Sequence, residues 1–158
     1  MAQSVTQHDT WRRPSQKTCH TGACAGIVIA LLSFSVRAVA ATSGTPLPAL
    51  FTDVEAAQGR IVFEQHCAIC HGEDLRGEVG PAVIGPSFGS VADHTTVSIM
   101  FNVIAAEMPA GNPASLTHEE YTDVMAYVLQ RNGYPAGAHP LSFTSAQTLD
   151  VPLISQVR

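Results

Sequence analysis

Lysine is all but missing from this chain: 158 residues hold a single one, Lys17. Past position 40 the cations are Arg60, Arg76, Arg131 and Arg158, set against twelve aspartates and glutamates, a formal charge of −8. Nucleic acid and anionic membrane surfaces are poor partners for such a surface. Docking through a ring of lysines is excluded too, and a partner with a basic docking patch is the better match. Long apolar runs are also lacking. The best, from Gly26 through Phe34, extends to about a dozen residues before Arg37, well short of the roughly 20 that a spanning helix needs. Arg12, Arg13 and Lys17 precede this run and Ala38-Val39-Ala40 follows it. Residues 1–40 therefore read as a secretory signal cleaved after Ala40, which implies export to the periplasm. Cysteine is scarce in the remainder. Cys19 and Cys24 leave with the signal, and Cys67 and Cys70 are too few and too close for a disulfide framework. No stretch alternates convincingly with period two, which argues against a sheet.

What is present reads as helix and loop. Residues 41–51, with Pro46 and Pro48, read as an irregular, exposed leader. Thr52-Asp53-Val54-Glu55 has the capping-box pattern, Thr at N-cap and Glu at N3. Behind it Val54, Ala57, Ile61 and Val62 recur at helical spacing, so a helix is expected from Asp53 to about His66. Gly59 lies in its middle at a cost of about 1 kcal/mol relative to Ala, an expense that close approach of another backbone would explain. A shorter helix is expected over about Thr95 to Ala106, with Val97, Met100, Phe101 and Ile104 inward. Thr117 and Glu120 form a second capping box, with Leu116 and Tyr121 as its hydrophobic staple. Tyr121, Val124, Met125, Val128 and Leu129 follow the stripe of a core-facing helix that ends at Asn132-Gly133. Residues 72–92 are loops by their Gly and Pro content. The tail 135–158 shows no period, yet Leu141, Phe143, Leu149, Leu153 and Ile154 make it too apolar for a solvated end. The expected fold is all-α, three main helices with Gly/Pro-rich loops.

One motif carries chemistry. Cys67-Ala68-Ile69-Cys70-His71 is the attachment signature of a c-type haem. Residues at i and i+3 share a helix face, so both thiols meet one edge of a porphyrin, where each adds across a vinyl group. His71 is then placed to ligate the iron from one side. The C-x-x-C pair alone would also serve zinc or thiol–disulfide exchange, but the latter lacks its strand–helix–strand context here.

A helix with Gly59 and Phe63, then Cys67–His71, Gly80-Pro81, Met108-Pro109 and a Tyr-bearing last helix resembles the class I cytochrome c family. The resemblance runs over about Asp53 to Gly133. It implies a cytochrome c fold around one covalent haem c, with the domain at 52–134 and a C-terminal extension at 135–158. It also implies crossing first and last helices, with Phe63 and Tyr127 flanking the crossing. Cys67 and Cys70 become thioether links, His71 the proximal ligand, and Met108 the distal ligand. Pro81 matches the position whose carbonyl accepts a hydrogen bond from the proximal imidazole.

Three methionines compete for the distal role. Met100 and Met125 lie on helical core stripes and are most simply packing residues, whereas Met108 lies in a loop before Pro109. His94, His118 and His139 are further alternatives, and His66 is expected to point away. Phe63, Ile69, Val83, Ile84, Phe88 and Ile104 are expected to face the haem. Iron held on both sides suits outer-sphere electron transfer, so the reading is a periplasmic carrier. The runs Met108–Pro113 and Gln130–Gly137 resemble small cytochromes that serve periplasmic quinoprotein dehydrogenases. The partners implied are such a dehydrogenase and a terminal oxidase or another cytochrome. The rival reading is a haem enzyme or gas sensor with an open distal face.

Overall fold

The computed structural model describes residues 46–158; the expected signal, 1–40, lies outside the described residues. Among the described residues the elements are α1 (Asp53–His66), α2 (Ala68–His71), a 3-10 turn (Val91–Asp93), α3 (Val97–Glu107), α4 (His118–Arg131) and α5 (Phe143–Ala146). No strand forms among them, and Thr96 and Pro152 make an isolated bridge. No helix among them is long and apolar enough to cross a membrane.

Both capping boxes form. The Thr52 hydroxyl accepts from the Glu55 N–H at 3.3 Å while Glu55 Oε2 takes the Thr52 N–H at 2.7 Å. Thr117 and Glu120 repeat the pattern at 3.2 and 2.7 Å. Each satisfies orphan N–H groups of a first turn, worth about 1 kcal/mol. α3 starts one cap later than the sequence implied, because the Thr96 hydroxyl accepts from the Ile99 N–H at 3.2 Å.

The centre of the fold is the crossing of α1 over α4. A Cβ on Gly59 would overlap the Asp123 carbonyl, and the Val124 amide nitrogen would lie only 2.9 Å from it. Glycine is thus required by the contact between backbones. Phe63 and Tyr127 flank the crossing with ring centroids 5.5 Å apart, within the range where aromatic pairs attract. The crossing also sets the inward face of α1. Ala56, Gly59, Val62 and Phe63 are buried, whereas Ala57 is exposed and Val54 and Ile61 are 70% and 48% exposed. At 3.6 residues per turn, Val54, Ala57 and Ile61 lie on the side of the helix roughly opposite the one that the glycine selects.

The leader is irregular over 46–50 and only partly exposed: Pro46, Pro48 and Ala49 are exposed, but Phe51 is fully buried, and Leu47 and Leu50 pack on the core. Its carbonyl at Phe51 accepts from the Gly137 N–H. The tail after α4 buries Leu141, Ala146 and Leu153 in the same core. It then runs as a strap beside α3 and the 85–89 loop. Val97 N–H donates to Val151 O at 2.8 Å, Leu153 N–H to Thr95 O at 2.8 Å, and Ser155 N–H to Gly89 O at 3.0 Å. The short α5 has too few residues to show a helical period in the sequence; its Phe143 ring stacks on His118 at 3.8 Å.

Asn132 knots these parts together. Its fully buried side chain accepts from the Gly85 N–H at 3.2 Å and donates to Val83 O and Val128 O at 3.0 and 2.8 Å. Removing one partner would strand the others, which is why such buried networks are costly to break.

Two outcomes are expected. Gly59→Ala should destabilise the protein by at least about 3 kcal/mol, since backbone cannot yield as a side chain tip does; a chemical denaturation midpoint within error of wild type would contradict the crossing. Asp123 is 8% exposed, and burial, then Glu119, Glu55 and Glu120, push its carboxyl up from 3.8 to about 6. A pKa raised on folding makes stability fall as pH rises from about 4 to about 6. Solvent still reaches this carboxyl at the lip of a shallow pocket, so the penalty is discounted to about 1 kcal/mol. Asp123→Asn should therefore be about 1 kcal/mol more stable than wild type at pH 7, with no gain below pH 4. Thermal melts at both pH values check the sign.

Candidate functional site

A cavity of about 510 Å³ opens between α1, the Cys67–His71 turn, the 79–88 loop, α3 and α4. That volume falls in the usual range for ligand pockets, roughly 300–1,000 Å³. Its floor is apolar: Phe63 from α1, Val124 and Val128 from α4, Ile104 from α3, with Val83 and Phe88 from the loop. Cys67, Cys70 and His71 line one side, and Met108-Pro109 lines it as well. The exposed residues of the mouth, His66, Val79, Pro81, Ser87, Val103 and Ala110, include no carboxylate and no arginine.

The turn that carries the thiols is built by capping. Cys67 closes α1, its N–H donating to Phe63 O at 2.9 Å, and opens α2, its carbonyl accepting from the His71 N–H at 3.0 Å. The following loop folds back over this turn. Gly77 N–H donates to His71 O at 2.8 Å and Gly80 N–H to Cys70 O at 2.8 Å. Leu75, fully buried, anchors the loop and accepts from the Val83 N–H at 2.8 Å. A Cβ on Gly80 would stand 3.1 Å from His71 Cε1. The bare glycine lets the chain lie against the imidazole, and Pro81 O then sits 2.7 Å from His71 Nδ1. With the proton on Nδ1 donated to that carbonyl, Nε2 is left with a free lone pair, the form a metal ligand takes.

The thiols are not joined in a disulfide. Burial first, then the neighbouring Cys70, pushes the Cys67 thiol up to about 11. A thiol–disulfide catalyst requires the opposite shift, because the thiolate is the attacking species. A neutral Cys67 thiol beside an apolar cavity suits addition to a porphyrin vinyl.

The structure brings Cys67, Cys70, His71, Pro81 and Met108 to one cavity. Of the residues expected to face the cofactor, Phe63, Val83, Phe88 and Ile104 line it. Ile69 does not: it is 82% exposed, because a helical turn that aims positions 67 and 70 inward aims 69 outward. Ile84 is buried in the core without lining the cavity. Met100 lines it beside Met108, while Met125 is fully buried and does not. Helical position alone could not tell these two apart. His94, His118 and His139 are exposed and lie off the cavity, and His66 is exposed at its rim. Sequence reasoning took Tyr121 only as a staple and core residue. Its hydroxyl in fact donates to Met108 O at 2.7 Å, and the signal was a phenol where a plain apolar side chain would have completed the stripe.

An imidazole with one nitrogen tied off, a methionine and a pair of free thiols around an apolar slot fit a haem c. A helical domain with this site is a c-type cytochrome. Residues 54–128 match the family model described as cytochrome c oxidase, cbb3-type, subunit III. A domain of this kind is an electron-transfer haem protein whose cofactor is one covalently bound haem c. Over 102 residues the chain is 31% identical to a thiosulfate dehydrogenase of Allochromatium vinosum, covering 60% of this chain and 38% of that protein. Over 74 residues it is 28% identical to a cytochrome c-553-like protein of Synechocystis, covering 47% of this chain and 67% of that one. Among solved structures, the sulfane dehydrogenase SoxCD of Paracoccus pantotrophus aligns with a TM-score of 0.49 at 24% identity, over 62% of this chain and 52% of that chain. The chain thus spans little more than a third of the thiosulfate dehydrogenase and about half of the SoxCD chain.

Without its occupant this cavity, open at the mouth, would leave its apolar lining facing water, a cost of about 4–5 kcal/mol at roughly 25 cal/mol per Å², a large share of the stability of an ordinary domain. Cys67→Ala combined with Cys70→Ala should therefore give a poorly folded product. Near-native helical circular dichroism with a cooperative melt in that variant would overturn this.

Proposed function

We propose that this chain is a periplasmic monohaem carrier that takes single electrons from a dehydrogenase and passes them to a respiratory acceptor. Cys67 and Cys70 form the thioether links, His71 is the proximal ligand and Met108 the distal one. The observation that carries this reading is that His71, held by Pro81 O at 2.7 Å, and the Met108 thioether line the same apolar cavity. When bound, the haem supplies a one-electron iron couple, and a His/Met ligand pair belongs to the sets that raise its potential. The protein's own part is to orient and to exclude. Pro81 fixes the His71 tautomer, while Phe63, Val124 and Val128 keep water from the slot. With His71 and Met108 both holding the iron, substrate would have no free place at the metal. Export of the chain by its first 40 residues puts it in the compartment where haem is attached.

The mouth offers largely apolar contact, and no carboxylate lines it, while the rest of the surface is acidic. This suits transient docking to a partner whose own patch is basic. A periplasmic quinoprotein dehydrogenase is the donor we favour, with another cytochrome or a terminal oxidase as acceptor.

Carbon monoxide separates this reading from a gas sensor or haem enzyme. The reduced protein should bind it negligibly at concentrations that saturate an open five-coordinate haem, and ready binding would sink the closed-site reading. Reduction by a quinoprotein dehydrogenase should be fast at low ionic strength and slow by about tenfold or more in high salt. Equal rates with unrelated donors, unaffected by salt, would remove that partner class.

A further inference from the structure

Tyr121 is 3% exposed on the inner face of α4 and does not line the cavity. Packing accounts for its ring but not for its hydroxyl, which a core position does not need. That hydroxyl makes two contacts: it donates to the carbonyl oxygen of Met108 at 2.7 Å and accepts from the Leu116 N–H at 3.4 Å. These are the two ends of one loop. Met108 is the C-cap of α3, where the backbone turns extended at φ −110° and ψ 153°. Residues 110–115 are exposed. Between the loop's ends the one backbone bond among the described residues is Asn112 N–H to Pro109 O at 2.8 Å. Little within the loop holds it shut.

We infer that Tyr121 is a positioning residue for Met108: its hydroxyl closes the 108–116 loop and so keeps the methionine thioether turned into the cavity. This rests on the assignment of Met108 as distal ligand. The carbonyl of Met108 is drawn toward α4, and the side chain on the same Cα is left directed at the cavity it lines. Without the hydroxyl, the carbonyl loses a buried donor and the loop gains an open alternative. The equilibrium between thioether on the iron and thioether off it then moves toward off.

The test uses the haem-loaded protein. Tyr121→Phe should raise the affinity of the reduced form for carbon monoxide about five- to tenfold, the worth of one intramolecular hydrogen bond, and should lower the reduction potential, with helical circular dichroism unchanged. Tyr134→Phe is the control. That hydroxyl is likewise buried, donating to Pro152 O at 2.7 Å and accepting from the Ile154 N–H at 3.0 Å, but it has no tie to Met108. Its removal should leave carbon monoxide affinity and potential as in wild type. Equal shifts in the two variants would reduce the effect to general loosening and overturn the inference, as would no shift in Tyr121→Phe. Met108→Ala separates the two levels of the reading. If it opens the iron to carbon monoxide while Tyr121→Phe does not, the inference alone fails. If Met108→Ala binds no better than wild type, the distal assignment fails with it.

Discussion

Two helix backbones touch at Gly59, and the haem cavity takes its shape from that contact. Because α1 meets the Asp123–Val124 peptide with no side chain between, Phe63 is delivered to the floor of the slot one turn further on. Val124 and Val128 are delivered from the opposite helix. The same approach brings Tyr121, one turn before Val124 on the same face, within reach of the Met108 carbonyl. A side chain at position 59 would push the helices apart and open all of these relations together. This also explains why a glycine is kept in a helix interior, where it is otherwise unfavourable.

Around this crossing the chain arranges two kinds of restraint. The proximal side is held by short-range backbone bonds, with the 77–80 segment folded over the Cys67–His71 turn and Pro81 against the imidazole. The distal side is held at longer range, by Tyr121 under Met108 and by the strap of residues 149–156 against α3 and the 85–89 loop. The proximal group is thus fixed by sequence neighbours, the distal one by parts of the chain that must first fold against each other. If His71 and Met108 hold the iron as proposed, this division would suit electron transfer, which needs both groups to keep their places in the two oxidation states.

Much of this was legible in the residues. Both capping boxes, the ends of α1 and α4, the haem-attachment turn and the close approach at Gly59 follow from local rules. Caps, turns and an i, i+3 pair act over a few residues and leave a signature there. The spacing of Val54, Ala57, Ile61 and Val62 marked α1 as a helix but not its inward face: Val54, Ala57 and Ile61 stay exposed, because the face is chosen by the glycine and not by hydrophobicity. The leader looked exposed because its prolines exclude helix, yet Phe51 buries fully against partners far away in the chain.

The sequence by itself determined that two thiols and an imidazole lie on one helical turn, since their spacing admits little else. It also determined that the chain past position 40 is acidic and free of lysine, and that helices dominate. Only the tertiary structure decided which methionines reach the cavity, that Ile69 turns outward, and that the tail is a strap and not a loose end. It alone assigned the Tyr121 hydroxyl to the loop of Met108. These matters depend on which distant segments come into contact, and a periodicity of a few residues carries no information about that.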